Sequence, residues 1–425
     1  MTTMRQHTSA GAVVTTDVDH PRVLLLDQVR VTGQRQTVAP KGRLEPGESP
    51  LAAALREVTE EAGLCDLAYA GYLGQDHYAF TDNDGQPAAK TVDWFLLTTD
   101  DPTTSILAGE GFTAARWVDL DQAADVATHP GFAVYLDRAS DLLAWRRSTP
   151  VPHSRFLDRL VRQAASEASA ILADQPGAGV AVCGSGARGD FVNGWSDLDL
   201  IGYGLPSEPP TADTRTAALA EALTTMATDL SRQSGVKVSI RCADRHGRDL
   251  TCGDSLRSRK LQVALSRIGV DVAVIAGATS PDLHEPDPRE PASDSGDRVR
   301  VQRDDLIALR DFATAKLTEP AEGDATQRDR IRRTLSAAGS TARIVAANLD
   351  PRTPLRLPTV ASLLRTRWAG NPMSPVLDGY DAFRRDGARD LQQIAALAER
   401  VPDAIDALIA LTSSGASSSH ATPAG

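Results

Sequence analysis

Residues 42–64 read GRLEPGESPLAAALREVTEEAGL and constrain the chain more than any other stretch. Pro46-Gly47 closes a loop. Ser49-Pro50 then predicts a helix start, with Ser49 as N-cap and Pro50 at the first helical position, where a missing N–H costs nothing. The run LAAALREVTEEA continues the helix, and Gly63 stops it. Glu57, Glu60 and Glu61 fall at i, i+3 and i+4, so three carboxylates share one helix face. Stacked like charges repel by roughly a few tenths of a kcal/mol per pair, and a bridging cation removes that penalty. Hard oxygen ligands of this kind suit Mg²⁺ or Mn²⁺. Alone, R-E-x-x-E-E reads as a solvated acidic face; here the flanking residues argue otherwise.

The stretch resembles the Nudix box, G-x5-E-x7-R-E-U-x-E-E-x-G-U with U aliphatic. Gly42, Glu48, Arg56, Glu57, Val58, Glu60, Glu61, Gly63 and Leu64 fill every defined position. At ordinary residue frequencies such a match arises by chance about once in 10⁹ start positions or less. The resemblance covers about residues 8–147, within a domain expected at 1–147. It implies an α/β/α sandwich that carries the box as a loop–helix–loop on a mixed sheet. It also implies hydrolysis of a nucleoside diphosphate linked to another group. By the same resemblance Glu57, Glu60 and Glu61 hold divalent metal, with Glu57 most central, and Gly42 lends a carbonyl. Arg56 orients the carboxylates. The chemical task is to neutralise a pyrophosphate and bring water to one phosphorus. Family members often place a further acid late in the domain, and Glu110, ahead of Arg116-Trp117-Val118, is the candidate. Pro40-Lys41-Gly42 together with Lys90-Thr91-Val92-Asp93-Trp94-Phe95 looks like the branch that includes diadenosine tetraphosphate hydrolases. The expected substrate is thus a nucleotide or dinucleoside polyphosphate. Lys41 or Arg43 is set to contact phosphate, and Tyr78 or Phe80 to stack a base; ordinary half-buried strand aromatics are the alternative.

A second constellation lies at residues 184–200, GSGARGDFVNGWSDLDL. Strands are expected at Gly179–Cys183 and Asp197–Gly202. Asp197 and Asp199, at i and i+2, point to one face of a strand. Two carboxylates at a strand end, behind the Gly184-Ser185 turn, suit Mg²⁺ held against a triphosphate; the turn offers N–H groups and a hydroxyl to phosphate oxygens. A lone D-x-D is common on surface strands, but here G-S, A-R-G and S-D-x-D-L occur in order. The pattern resembles the polymerase β-like nucleotidyltransferases over about residues 155–280. The resemblance implies metal at Asp197 and Asp199, and a nucleotide such as ATP contacting Gly184, Ser185 and Arg188. It also implies a third carboxylate on a later strand. That position is read at Lys237, which places an ammonium where an acid is needed, or a phosphate contact in a domain that only binds. Asp244, just past the strand, and Asp271 are the alternatives.

The chain has 425 residues, too many for one ordinary domain. Linkers are read at 148–152 and 276–298, so domains are expected at 1–147, 153–280 and 300–412, with a disordered tail at 413–425. The expected fold class is multidomain α/β: a Nudix α/β/α sandwich, a nucleotidyltransferase-like α/β domain, then an α-helical bundle. Residues 285–419 contain no histidine, which excludes the histidine-dependent helical RNases of toxin systems. Residues 1–147 hold 12 Lys+Arg against 21 Asp+Glu, a net −9 of the chain's −11. That balance argues against a nucleic-acid partner and calls for metal wherever phosphate is handled. No apolar run approaches membrane length, and MTTMRQHTSA lacks the apolar core of a signal peptide. Four cysteines, Cys65, Cys183, Cys242 and Cys252, form no C-x-x-C and fit a reducing compartment, so a cytoplasmic location is expected. Three functional readings stay open. They are a hydrolase with a transferase-like appendage, a bifunctional enzyme that transfers a nucleotide to a hydroxyl, and a hydrolase regulated by a nucleotide-sensing second domain.

Overall fold

The apolar runs near Ala10–Val14 and Val23–Leu26 form the centre of a seven-stranded sheet. Its strands are β1 (Arg5–Thr15), β2 (Arg22–Val29), β3 (Arg35–Val38), β4 (Lys41–Arg43), β5 (Ala68–Thr81), β6 (Pro87–Thr98) and β7 (Phe112–Asp119). Their order is β3-β2-β1-β6-β5, with β4 on β1 and β7 on β2. β1 and β6 run parallel, and β2 pairs antiparallel with β3 and β7. The computed structural model describes residues 5–16, 19–30, 32–81, 85–106, 111–149, 154–206, 213–251, 255–279, 303–320, 323–386 and 390–415.

Both faces of this sheet are covered, which explains why its central strands read as continuous apolar runs. Leu24 and Leu26 point into one core with Leu51, Ala54 and Val58 of α1 (Pro50–Ala62). Val23 and Leu25 point into the other with Phe132, Tyr135 and Leu136. That second face is closed by α2 (Ala123–Val126), a 3₁₀ turn at Pro130–Phe132 and α3 (Ala133–Arg147). The sandwich is the layering that the first motif implies.

A second, four-stranded sheet follows, with β8 (Gly179–Cys183), β9 (Leu198–Leu205), β10 (Val238–Asp244) and β11 (Ala273–Gly277) in the order β10-β9-β8-β11. Its helices are α4 (Ser154–Ile171), α5 (Gly184–Arg188) and α6 (Asp213–Ser234). The Gly184-Ser185 turn expected after β8 is instead the start of a short helix that leaves β8 directly.

Residues 150–152 of the linker expected at 148–152 lie outside the described residues, and the residues on either side of it share one core. Residues 1–253 and 267–285 form one unit, and residues 254–266 and 286–425 the other. Leu157, Leu160 and Val161 of α4 join the same apolar cluster as Leu51, Val58, Leu64 and Tyr69. Polar contacts reinforce it: Arg155 bonds Asp66 at 2.6 Å and Asp100 at 2.8 Å. Arg162 donates to the Leu67 carbonyl at 2.6 Å. The physical reason is coverage, since α1 alone does not bury its face of the first sheet, and α4 packs on β5 beside it.

The second unit is helical among the described residues. It holds α7 (Ser255–Leu265), α8 (Arg303–Thr318), α9 (Asp324–Leu349), α10 (Leu357–Arg367), α11 (Met373–Arg385), α12 (Leu391–Glu399) and α13 (Val401–Gly415). Leu306, Leu335, Leu364, Val376 and Ile405 are buried there. Most of the expected 276–298 linker, most of the expected tail and Cys252 lie outside the described residues. Cys65, Cys183 and Cys242 are free thiols. Among the described residues no helix is long and apolar enough to cross a membrane.

Candidate active site

Helix α1 forms as its sequence dictates. Ser49 sits in extended geometry and its side chain accepts from the Ala52 N–H at 3.3 Å. Gly63 takes the left-handed cap at φ 72° and its N–H donates to the Thr59 carbonyl. These caps fix the helix phase, and with it the carboxylate face. Glu57 and Glu61 are 7 % and 6 % exposed, whereas the Glu60 side chain is 56 % exposed. Arg56 ties the group together. Its Nε and Nη2 grip both Glu48 oxygens at 2.9 Å. Its Nη1 reaches Glu57 Oε1 and Glu60 Oε2, both at 2.8 Å, and its Nη2 also donates to the Arg43 carbonyl at 2.9 Å. Burial pushes the Glu48 carboxyl up, but bonds from Arg56 and the Glu45 N–H outweigh it and hold the group below its usual range. The same bonds, led by the one to Glu48, raise Arg56 further above its ordinary value.

Strand β4 closes on this helix. The Lys41 N–H donates to Glu61 Oε2 at 3.0 Å. A Cβ on Gly42 would lie 2.0 Å from the Glu57 carboxyl carbon, so only glycine lets the carboxylate rest on the backbone here. Among the described residues no three His, Cys, Asp or Glu side chains converge as a metal cage. At α1 the reason is that Glu60 turns out toward Arg56. Two buried carboxylates beside a backbone segment still fit Mg²⁺, which keeps waters and substrate phosphates as its other ligands.

A cavity of about 530 Å³ opens beside Lys41. Arg30, Lys41 and Lys90 bring three cationic side chains to it, and Tyr78, Phe80, Trp94 and Phe132 bring aromatic faces. Burial, then the neighbouring Lys41, Arg43 and Arg30 cations, pushes Lys90 down to about 8. Burial also lowers Lys41, against the pull of Glu61. His129, on the same cavity, is lowered by burial and by the Lys41 and Arg30 charges. Lys41, Tyr78 and Phe80, read from the sequence as substrate contacts, all line this cavity. Arg43 does not line the cavity and serves Arg56 through its carbonyl. Glu110 lies outside the described residues. Arg30 and His129 were not legible, being single polar residues in turns far from the motif.

The second sheet brings Asp197, Asp199 and the start of α5 at Gly184-Ser185 together. A Cβ on Gly184 would lie 3.1 Å from Asp199 Oδ2. Asp197 precedes β9 and Asp199 lies within it. The residue paired with Asp199 on the next strand is not Lys237. β9 and β10 pair in parallel with Ser239 beside Asp199, and Ser239 Oγ donates to Asp199 Oδ1 at 2.8 Å. Lys237 lies just before β10, its Nζ 3.4 Å from Asp197 Oδ2. Each alternative acid is bonded to an arginine. Asp244 ends β10, where it accepts from the His246 and Arg248 N–H groups and from Arg248 Nε. Asp271 stands at the opposite edge of the sheet, bonded to Arg267 at 2.7 Å. Arg188 is buried, with Nε 3.5 Å from Asp190 Oδ1. Burial raises the Asp199 carboxyl; the Ser239 bond opposes it, the Asp197 charge adds to it, and Arg241 and Lys237 counter that.

Residues 5–153 match the NUDIX domain family. The bis(5'-nucleosyl)-tetraphosphatase [asymmetrical] of Sus scrofa is 29 % identical over 129 residues, 30 % of this chain and 84 % of its own length. Its Mus musculus counterpart is 30 % identical over 114 residues, 26 % of this chain and 72 % of its own. The putative mutator protein MutT4 of Mycobacterium tuberculosis is 37 % identical over 94 residues, 21 % of this chain and 37 % of its own. A crystal structure of a C. elegans Ap4A hydrolase binary complex is 24 % identical, with 32 % of this chain and 98 % of that one covered at a TM-score of 0.28. The chain belongs to the Nudix family, and its first sheet and α1 make it a Nudix hydrolase, an enzyme that cleaves pyrophosphate linkages.

Proposed function

We propose that the chain cleaves dinucleoside polyphosphates at α1 with the help of Mg²⁺ or Mn²⁺. The cavity carries this reading: Arg30, Lys41 and Lys90 share one space with several aromatic faces, next to the buried Glu57 and Glu61. A run of phosphates asks for several cations, and a base asks for a flat apolar face. The pig and mouse relatives, named as tetraphosphatases, support the same substrate class. In this reading Glu57, Glu61 and the Gly42 carbonyl hold the cation. When bound, it neutralises charge on the phosphate oxygens. Arg56 holds Glu57 and Glu48 in place. Lys41, Lys90 and Arg30 bind the polyphosphate, and Tyr78 or Phe80 stacks a base. Glu60, open to solvent on the same helix face, accepts the proton of the attacking water. The water oxygen bonds to one phosphorus, the bridging P–O bond breaks, and the leaving nucleotide takes the electron pair. The test is a substrate screen with the purified full chain and Mg²⁺. Diadenosine tetraphosphate should be turned over in preference to nucleoside triphosphates and nucleotide sugars; a reversed preference would reassign the cavity.

The second sheet favours nucleotide binding without transfer, because Ser239 stands beside Asp199 where a carboxylate would be needed. Transfer requires a group that takes the acceptor's proton, and a serine hydroxyl is a poor one. In this reading Asp197 and Asp199 hold a metal–triphosphate and the site senses nucleotide. Radiolabelled ATP should be retained by the full chain and not passed to an alcohol or protein hydroxyl. Robust labelling of an acceptor would establish the bifunctional alternative.

A further inference from the structure

Strand β5 carries two bulges, and both fall where residues after 153 touch it. Against β6 its register shifts between Tyr69 and Gly71, and again between Tyr72 and Gly74. A one-residue shift decides which face every later side chain takes. β5 also ends the strand order of its sheet, so among the described residues β6 is its one neighbour there. An edge strand of this kind is weakly specified unless something covers it.

The first bulge is held from the second layer. Tyr69 is fully buried, and its hydroxyl donates to the Gly186 and Ala187 carbonyls at 3.1 and 3.2 Å. Its N–H donates to Asp158 Oδ1 at 2.7 Å. Gly71 and Gly189 meet so closely that a Cβ on Gly189 would lie 2.3 Å from the Ala70 carbonyl oxygen. The second bulge turns at Gly74, with φ 112°. Just beyond it the Gln75 N–H donates to the Gly269 carbonyl at 2.7 Å, and Gln75 Nε2 donates to Asp93 at 3.2 Å. Asp76, Tyr78 and Phe80 follow, and all three line the cavity.

We propose that Tyr69 and Gln75 are positioning residues for the hydrolase. Held by residues 158–189 and 267–272, they fix both bulges of β5, and so fix which side chains of its outer half form the cavity wall. A slip of one residue would turn Tyr78 away and bring His77 or Ala79 inward. The inference rests on the cavity being the substrate site, but the clamp on β5 can be read without turnover.

Tyr69→Phe in the full chain removes one oxygen without opening a hole. Amide hydrogen exchange over residues 76–81 should quicken, while residues 50–62 keep their protection. KM for diadenosine tetraphosphate should rise about fivefold or more, with kcat changed less than about twofold, because α1 is untouched. Unchanged exchange and unchanged KM would overturn the proposal. So would a fall in kcat at constant KM, which would place the effect of Tyr69 on α1. Should Tyr69→Phe fail to fold, Asp158→Ala, which removes the acceptor of the Tyr69 N–H, carries the same two readouts with the same expected direction. If the unaltered chain hydrolyses no dinucleoside polyphosphate, the substrate reading fails, and the exchange pattern alone still decides the clamp.

Discussion

Glu57 is held by Arg56 on one side and by the bare backbone of Gly42 on another, so its carboxylate has little freedom. Glu57→Gln keeps the shape and the Arg56 bond but removes the charge. Turnover should fall by about 100-fold or more, with little change in melting temperature. Near-normal turnover at saturating Mg²⁺ would take α1 out of the chemistry. Lys90 makes a different claim. Burial and nearby cations lower it to about 8, so it is charged below that pH and neutral above it. The charged form attracts polyphosphate, so KM should rise between pH 7 and pH 9. Lys90→Arg should flatten the rise, since guanidinium stays protonated. A flat KM in the unaltered chain would remove Lys90 from phosphate binding. At this scale the box residues were legible because one helix turn sets their spacing. The neighbour of Asp199 was not. Counting along one strand points to Lys237, whereas the hydrogen-bonded register with β9 seats Ser239 there.

Helix α1 is the element most completely written in its own residues: cap, first-turn proline, periodicity and terminal glycine all act within a few positions. Ser49→Ala should destabilise the first unit by about 1 kcal/mol, as judged by chemical unfolding, because it leaves the Ala52 N–H without its acceptor. No measurable change would mean that packing of Leu51 and Val58 alone sets the helix start. Other elements carry weaker signals. α3 has no side-chain N-cap, and Phe132 just before it packs on Trp94 of β6 and on Tyr135 three residues on. β3 and β4 are four and three residues long, and they exist because β2 and β1 offer them edges to pair with. Such short segments have too little pattern to announce a strand.

The first unit behaves as one body because the apolar cluster under α1 continues into α4 and β8 without a polar break. The stretch at 148–152 reads as a boundary along the chain, but residues on both sides of it share one core. A fragment of residues 1–150 should therefore be largely insoluble, since it exposes Leu64, Tyr69 and the β5 edge that α4 covers. The soluble fraction and gel-filtration profile check this; a soluble monomer with full hydrolase activity would show that α4 is dispensable. The amino-acid sequence by itself determined α1, its carboxylate face, the strand-rich first half and the helical second unit. Caps, periodicity and motif spacing are local, and local physics is readable along the chain. The tertiary structure alone decided the shared core, the cationic wall of the cavity and the serine beside Asp199. Each of these joins residues far apart in sequence, as Tyr69 joins Ala187 across 118 positions, and the chain's order does not encode which distant surfaces bury one another.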